Sequence, residues 1–299
     1  MLDVNLLGTG GMVPLPGRFL TSLMLRYQGN GILIDCGEGT QVAIRAAGLG
    51  FKHIGIICLT HFHADHVAGI PGLLLTIGNS GRTEPIYIIG PKYVGQIIDC
   101  LRIIAPKLPF EVKYVEITGA GEVFSFDELS ISVHPVEHWI PCYAYKIDIA
   151  RQRKFNADKA KALDIPVTLW SKLQKGETVE YDGKTAIPDQ VMGEARRGLS
   201  LCYSTDLRPS ATLPVFAKDT DLFVCEGMYG DPEDLEKALS HRHCLFSEAA
   251  EMAAKAGTKE LWLTHFSPSM PKPEEYINVA AAIFPNVYID KMSTTLRFE

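Results

Sequence analysis

The stretch Ile54-Gly55-Ile56-Ile57-Cys58-Leu59-Thr60-His61-Phe62-His63-Ala64-Asp65-His66 decides how the chain is read. Its first six residues form a short, apolar, partly β-branched run, the pattern of a buried strand rather than a helix. Three imidazoles and one carboxylate then fall within the six positions His61 to His66. Zinc accepts imidazole nitrogen and carboxylate oxygen, whereas structural zinc sites in short motifs usually rely on cysteine thiolate. The cluster has no cysteine, so a hydrolytic metal centre is favoured. The apolar run Val67 to Ile77 is helix-compatible, which puts the cluster in a loop between the carboxyl end of a strand and a helix.

Four donors would leave two metals under-coordinated, so the rest must come from farther along the chain. Three residues are suitable: His138 in Val136-Glu137-His138-Trp139, Asp206 in Tyr203-Ser204-Thr205-Asp206-Leu207, and His265 in Leu263-Thr264-His265-Phe266. Each follows or closes an apolar, strand-like run. Several strand ends at one edge of a sheet can converge on one crevice.

With these residues in place the chain resembles the metallo-β-lactamase superfamily and, within it, the ribonuclease Z family of tRNA 3′-processing endonucleases. Asp35-Cys36-Gly37-Glu38-Gly39-Thr40-Gln41 is similar to the family's signature ahead of the histidine motif, and Leu263-Thr264-His265-Phe266-Ser267-Pro268 to its closing one. The segment from Phe155 through Trp170-Ser171-Lys172-Leu173-Gln174-Lys175-Gly176-Glu177 looks like the family's insertion. The resemblance implies an α/β fold, the αββα sandwich of two mixed sheets flanked by helices, with an inserted arm. It implies two Zn2+ per chain, or Mn2+ or another divalent ion: His61, His63 and His138 on one, Asp65, His66 and His265 on the second, Asp206 between them. It further implies precursor tRNA as substrate and a homodimer.

Composition fits this picture. The chain has 299 residues, 46% hydrophobic and 21% charged, with no compositional break, so residues 1–299 are expected to form one domain with an arm at 151–198. Net charge is −6, but the arm holds ten Lys or Arg against seven Asp or Glu, making it +3 and the remainder −9. In the resembling family such an arm grips tRNA. The opening Met1-Leu2-Asp3-Val4-Asn5-Leu6-Leu7 lacks a basic leader and reads as a strand rather than a signal peptide, and no run of about 18 apolar residues exists to span a bilayer. Seven cysteines without a Cys-x-x-Cys pair suit reduced core thiols and a cytoplasmic location.

Two cations about 3.5–4 Å apart can ionise a shared water and stabilise both attacking and leaving oxygens of a phosphodiester displacement. Asp65 is placed to orient that hydroxide. The leaving ribose oxygen, O5′ or O3′, is a poor alkoxide and calls for a proton donor. His243, ahead of a helix where the family carries a catalytic histidine, is the candidate acid, and Glu226 is the candidate partner that orients it. Asp35 is expected to fix a ligand tautomer. Gly8-Thr9-Gly10-Gly11 reads as a tight turn, and His53, His134 and His241 as bystanders. The chain departs from the family within Pro14-Leu15-Pro16-Gly17-Arg18-Phe19, Thr205-Asp206-Leu207 and Cys225-Glu226-Gly227 and at Leu245; the ligands survive these changes, and the altered residues are expected to touch RNA rather than metal. An alternative reading is therefore a phosphodiesterase or other metallo-hydrolase acting on a smaller substrate.

Hydrophobic patterning places strands at Val4–Leu7, Leu20–Tyr27, Gly31–Ile34, Ile54–Leu59, Ile86–Ile89, Glu111–Ile117, Glu122–Phe126, Leu129–His134 and Tyr143–Ile149, with helices at Thr40–Ala47 and Tyr93–Ile104. Beyond the arm, strands at Leu199–Tyr203, Leu222–Cys225, Glu260–Leu263 and Val287–Ile289 alternate with helices at Ser247–Ala256, N-capped by Ser247, and Pro273–Ile283.

Overall fold

A computed structural model describes residues 1–126, 128–289 and 291–298. In chain order the strands are β1 (Leu2–Gly8), β2 (Ser22–Tyr27), β3 (Asn30–Ile34), β4 (Ile54–Cys58), β5 (Ile86–Gly90), β6 (Val112–Glu116), β7 (Val123–Phe126), β8 (Leu129–Val136), β9 (Cys142–Arg151), β10 (Val179–Tyr181), β11 (Lys184–Ala186), β12 (Arg196–Ser204), β13 (Leu222–Glu226), β14 (Leu261–Thr264), β15 (Val287–Tyr288) and β16 (Ser293–Leu296). They form two seven-stranded sheets, β16-β1-β2-β3-β4-β5-β6 and β15-β14-β13-β12-β9-β8-β7, and a separate β10-β11 hairpin. Both large sheets are mixed: β3 to β6 run parallel and so do β12 to β15, whereas β1 is antiparallel to β2, and β7 to β8.

The alternation of side chains along a strand separates two apolar layers. Leu33, Ile57 and Ile88 join a buried cluster with Ile44, Leu74 and Ile98 from the helices Thr40–Ala46, Ile70–Asn79 and Val94–Leu101. In the second sheet, Phe223, Cys225 and Leu263 pack with Ala249, Ala253 and Ala280 of Phe246–Ala256 and Ile277–Ala281. The buried Ile32 and Ile34 stand outside the first cluster, on the opposite face of β3. Polar links cross between the sheets: Tyr145 on β9 donates its hydroxyl to the carbonyl of Leu59 just past β4 at 2.7 Å, and the Tyr143 N–H reaches the Thr60 carbonyl at 3.1 Å. This is the αββα sandwich.

Several boundaries differ from the patterning, each for a local reason. The helix expected over Val67–Ile77 is two, Ala64–Val67 and Ile70–Asn79. Between them Gly69 donates its N–H to Cys36 at 2.9 Å, and a Cβ there would lie 2.2 Å from the Gly37 carbonyl oxygen, so only glycine permits the approach. Tyr93–Ile104 and Pro273–Ile283 each contain a 3-10 turn, at Arg102–Ile104 and Pro273–Tyr276. Ser247 is not an N-cap: the last long helix starts at Phe246, and the Leu245 N–H donates to the Glu248 carboxylate at 2.9 Å. Strand β16 leaves no hydrophobic pattern because Ser293-Thr294-Thr295-Leu296 is short and polar, yet it pairs with β1 from Leu2↔Leu296 to Asn5↔Ser293.

The described residues form two compact units: Met1–Asp148 with Leu199–Arg297, and Ile149–Gly198 with Phe298. The smaller unit has its own core of Ala160, Ile165, Leu173, Val179, Ala186 and Val191. Asn156 caps its first helix, Ala157–Ala162, by accepting from the Asp158 and Lys159 N–H groups, and Asp182-Gly183, both left-handed, close the β10-β11 hairpin.

Tyr145→Phe removes a fully buried donor and strands a carbonyl, so it should lower stability by about 1–3 kcal/mol, read as a shift in urea midpoint with unchanged slope.

Candidate metal centre and active site

Six site residues sit at the carboxyl ends of strands: Asp35 after β3, His61 after β4, His138 after β8, Asp206 after β12, Glu226 as the last residue of β13 and His265 after β14. Asp35, Asp206 and His265 turn the chain through left-handed backbone, with φ of 60°, 54° and 59°. Such conformations are uncommon for residues with a Cβ and recur where structure over-determines them at functional sites. Here they swing each side chain off its strand toward a common point.

At that point two groups of donors face each other. In one, His61 Nε2 lies 3.0 Å from His63 Nδ1, and His138 Nε2 lies 3.3 Å from the same nitrogen. Asp206 Oδ1 stands 3.9 and 3.8 Å from His61 and His138. In the other, His66 Nε2 is 3.3 Å from His265 Nε2, and Asp65 Oδ2 is 3.5 and 3.4 Å from the two. Asp206 Oδ2 completes this second group, 3.1 Å from His66 and 3.2 Å from His265. The two oxygens of one carboxylate thus serve two sets of donors. His61, His63, His138 and Asp206 could hold one metal ion, and Asp65, His66 and His265 another.

The donor set fits a cation on its geometry. Four donors arranged tetrahedrally around zinc at about 2.0–2.1 Å lie roughly 3.3–3.4 Å from one another, and the nitrogen pairs here stand at 3.0 and 3.3 Å. Asp206 Oδ2, the oxygen turned to His66 and His265, is a buried acceptor with no hydrogen-bond partner. Burial holds the His61 and His63 imidazoles below their usual pKa and takes His138 down to about 4, so these rings are neutral and keep a lone pair. Burial alone would lower His66 too, but the Asp206 and Asp35 carboxylates outweigh it and raise it. Asp206 is held well below the usual range, burial opposing and His265, His66 and His61 prevailing.

A surrounding layer aims these donors. Asp35 Oδ2 accepts from His66 Nδ1 at 2.8 Å, which leaves Nε2 for the cluster, and Asp35 Oδ1 takes the Thr60 N–H at 2.8 Å. The Thr60 hydroxyl lies 3.0 Å from His61 Nδ1 and orients that ring likewise. The glycine turn does more than reverse the chain. A Cβ on Gly11 would meet the His265 ring at 2.7 Å, and the next residue, Met12, donates its N–H to Asp65 Oδ2 at 2.8 Å.

His243 Nδ1 lies 2.9 Å from Glu226 Oε2, while Glu226 Oε1 accepts the Leu207 N–H. Burial would depress the His243 imidazole, but the charge and hydrogen bond of Glu226, then Asp206 and Asp65, lift it to about 9. It lines a cavity of about 770 Å³ with His63, Asp65, His138, Trp139 and Asp206. A further possible grouping, Asp206 with His243 and His265, shares members with the two above, but the Nδ1 of His243 is already committed to Glu226.

Arg208 carries no sequence signal of its role. Its guanidinium donates to the His243 carbonyl and forks onto Glu248, and its N–H reaches the Glu137 carbonyl at 2.9 Å, tying three site loops together. His241 is no bystander in position: it lines the cavity with its Nδ1 2.9 Å from the Tyr229 hydroxyl. His134 stacks on Phe216, away from that cavity. The departures from the family pattern divide by exposure, with Pro16 and Gly17 on the surface. Thr205, Leu207, Cys225 and Leu245 are buried, because a strand end packed under a helix leaves them no path to solvent. Arg18 spends its guanidinium on the carbonyls of Met270 and Pro271, at 3.0 and 2.7 Å.

Comparison with known proteins fits this geometry. YhfI from Bacillus subtilis, a metallo-β-lactamase fold protein, superposes with a TM-score of 0.70 at 18% identity over 98% of this chain and 97% of its own. Human tRNase Z, short form, gives 0.69 at 23% over 99% and 100%. The class is therefore that of the metallo-β-lactamase fold. The chain is 50% identical to the ribonuclease Z of Agathobacter rectalis over 301 residues, 100% of this chain and 99% of that one, and 52% identical to that of Lachnospira eligens over 285 residues, 95% and 94%. A family model described as Anti-Pycsar protein Apyc1 matches residues 2–165, which take in His61 to His138 but stop short of Asp206, Glu226, His243 and His265. With relatives that run over all of these positions, the chain belongs to the ribonuclease Z family.

Asp35→Ala removes the acceptor that fixes His66 and should weaken divalent-cation affinity about 10–100-fold in a competitive chelator titration.

Proposed function

We propose that the chain hydrolyses a phosphodiester at the 3′ end of precursor tRNA, with two divalent cations, zinc in the first instance, held by His61, His63, His138, Asp65, His66 and His265 and shared through Asp206. The observation that carries this reading is the Asp206 carboxylate with one oxygen toward each donor set. Cations held there supply Lewis-acid charge to the phosphoryl oxygens and lower the pKa of water toward neutrality.

The chain's own groups do the rest. Asp65, anchored by the Met12 N–H, keeps a carboxylate oxygen between His66 and His265 beside the cavity and orients the attacking water. Its pKa is far below the usual range, burial opposing and hydrogen bonds from His265 and His66 prevailing, so it stays an acceptor. His243, with Nδ1 turned to Glu226, has Nε2 left for the cavity and carries a proton at neutral pH, ready for the departing ribose oxygen. Glu226 fixes that ring and steadies its charge.

In this reading the unit Ile149–Gly198 is the arm that grips tRNA, supported by its net charge of +3 against −9 elsewhere and by its separate core. The protein works as a homodimer in the cytoplasm, a setting supported by seven free cysteines, six of them buried. Among the described residues no helix is long and apolar enough to cross a membrane.

The test is cleavage of a 3′-extended tRNA precursor beside a small aryl phosphodiester. Asp65→Ala should abolish RNA cleavage, and His243→Ala should slow it about 10²–10⁴-fold with substrate affinity retained. Removal of metal by chelation should stop cleavage and re-addition of zinc should restore it. Deleting 152–197 should weaken tRNA binding, with a shallower dependence of affinity on salt, while hydrolysis of the small ester persists. Activity on the small ester with none on precursor tRNA would contradict the proposal.

A further inference from the structure

Beside the metal donors stands an aromatic group that neither the cluster nor the proton donor uses. Trp139 follows His138 directly, lines the same cavity and is 61% exposed, the opposite of what an indole does in a core. One face of its ring is covered: the Arg242 guanidinium lies 4.5 Å from the ring centroid. Arg242 is itself pinned. It donates to the His138 carbonyl at 3.1 Å, stands 3.9 Å from the Glu137 carboxylate, and its backbone is left-handed, φ 57°, at the end of the helix Leu235–His241. Arg242 precedes His243 as Trp139 follows His138, so the pair links the two loops that carry a metal donor and the proton donor.

We propose that Trp139, backed by Arg242, is a stacking platform for an unpaired nucleobase adjoining the scissile phosphate. This rests on the reading of the site as one that cuts RNA. A flat indole held by a cation on one side and open on the other accepts any base by its π-face, and the nearby guanidinium adds charge toward the phosphates. A base lodged there would hold the neighbouring phosphodiester against the donors one residue away, so Trp139 is a positioning residue that selects unpaired RNA over paired, whose bases are already stacked on each other.

The experiment uses the full-length, zinc-loaded protein and precursor tRNAs that carry an abasic nucleotide immediately 5′ or immediately 3′ of the cleavage site. Trp139→Ala should lower kcat/KM on the intact precursor about 5- to 140-fold, the equivalent of roughly 1–3 kcal/mol per stacked base at about 1.4 kcal/mol per decade. Trp139→Phe should recover most of it. One of the two abasic substrates should slow the wild-type protein by a similar factor and slow Trp139→Ala no further. An uncleavable RNA should quench tryptophan emission in the wild type and not in Trp139→Phe. Loss below twofold in Trp139→Ala, or losses that multiply with both abasic substrates, overturns the platform while leaving RNA cleavage intact. A wild-type protein that cuts no precursor tRNA removes both readings together.

Discussion

Everything in this molecule turns on the carboxylate of Asp206, a buried group whose two oxygens each face two imidazole nitrogens at 3.1 to 3.9 Å. Taking so many polar groups out of water is costly unless each lone pair finds a positive partner. The neutral histidines cannot satisfy one another with protons alone, since His63 Nδ1 faces two other ring nitrogens. The proposed cations would supply that partner, and the proposed chemistry is a consequence of the same crowding.

Holding such a cluster is a task for backbone. Parallel strands in both sheets end near one point, and left-handed turns at Asp35, Asp206 and His265 redirect side chains there. Glycines let main chain pass where a side chain could not: at Gly37 a Cβ would meet the Asp65 carbonyl oxygen at 2.0 Å, and at Gly11 it would meet His265. Arg208 and Asp35 then lock loops and ring orientations from behind.

Much of this was legible in the sequence because the donors are chemically conspicuous. The His-x-His-x-Asp-His run announces itself, and His138, Asp206 and His265 could be picked out because each closes an apolar run that reads as a strand. The supports were less legible. Gly11 and Met12 act through a missing side chain and a backbone N–H, which no residue type advertises. Arg208 looks like any surface arginine until the fold brings Glu248 and the His243 carbonyl to it. Family departures such as Leu207 and Leu245 suggested altered contacts with substrate, yet they lie in the apolar layer, because exposure depends on how strand ends pack beneath a helix. Strand β16 was missed since its pairing with β1 is a tertiary fact, almost the length of the chain away.

The proposed metal centre is tested most directly by the number and position of the cations bound. Anomalous scattering from crystals of the zinc-loaded chain should place one peak among His61, His63 and His138, a second among Asp65, His66 and His265, and Asp206 in contact with both. A single peak at full zinc saturation, or peaks away from these side chains, would contradict it.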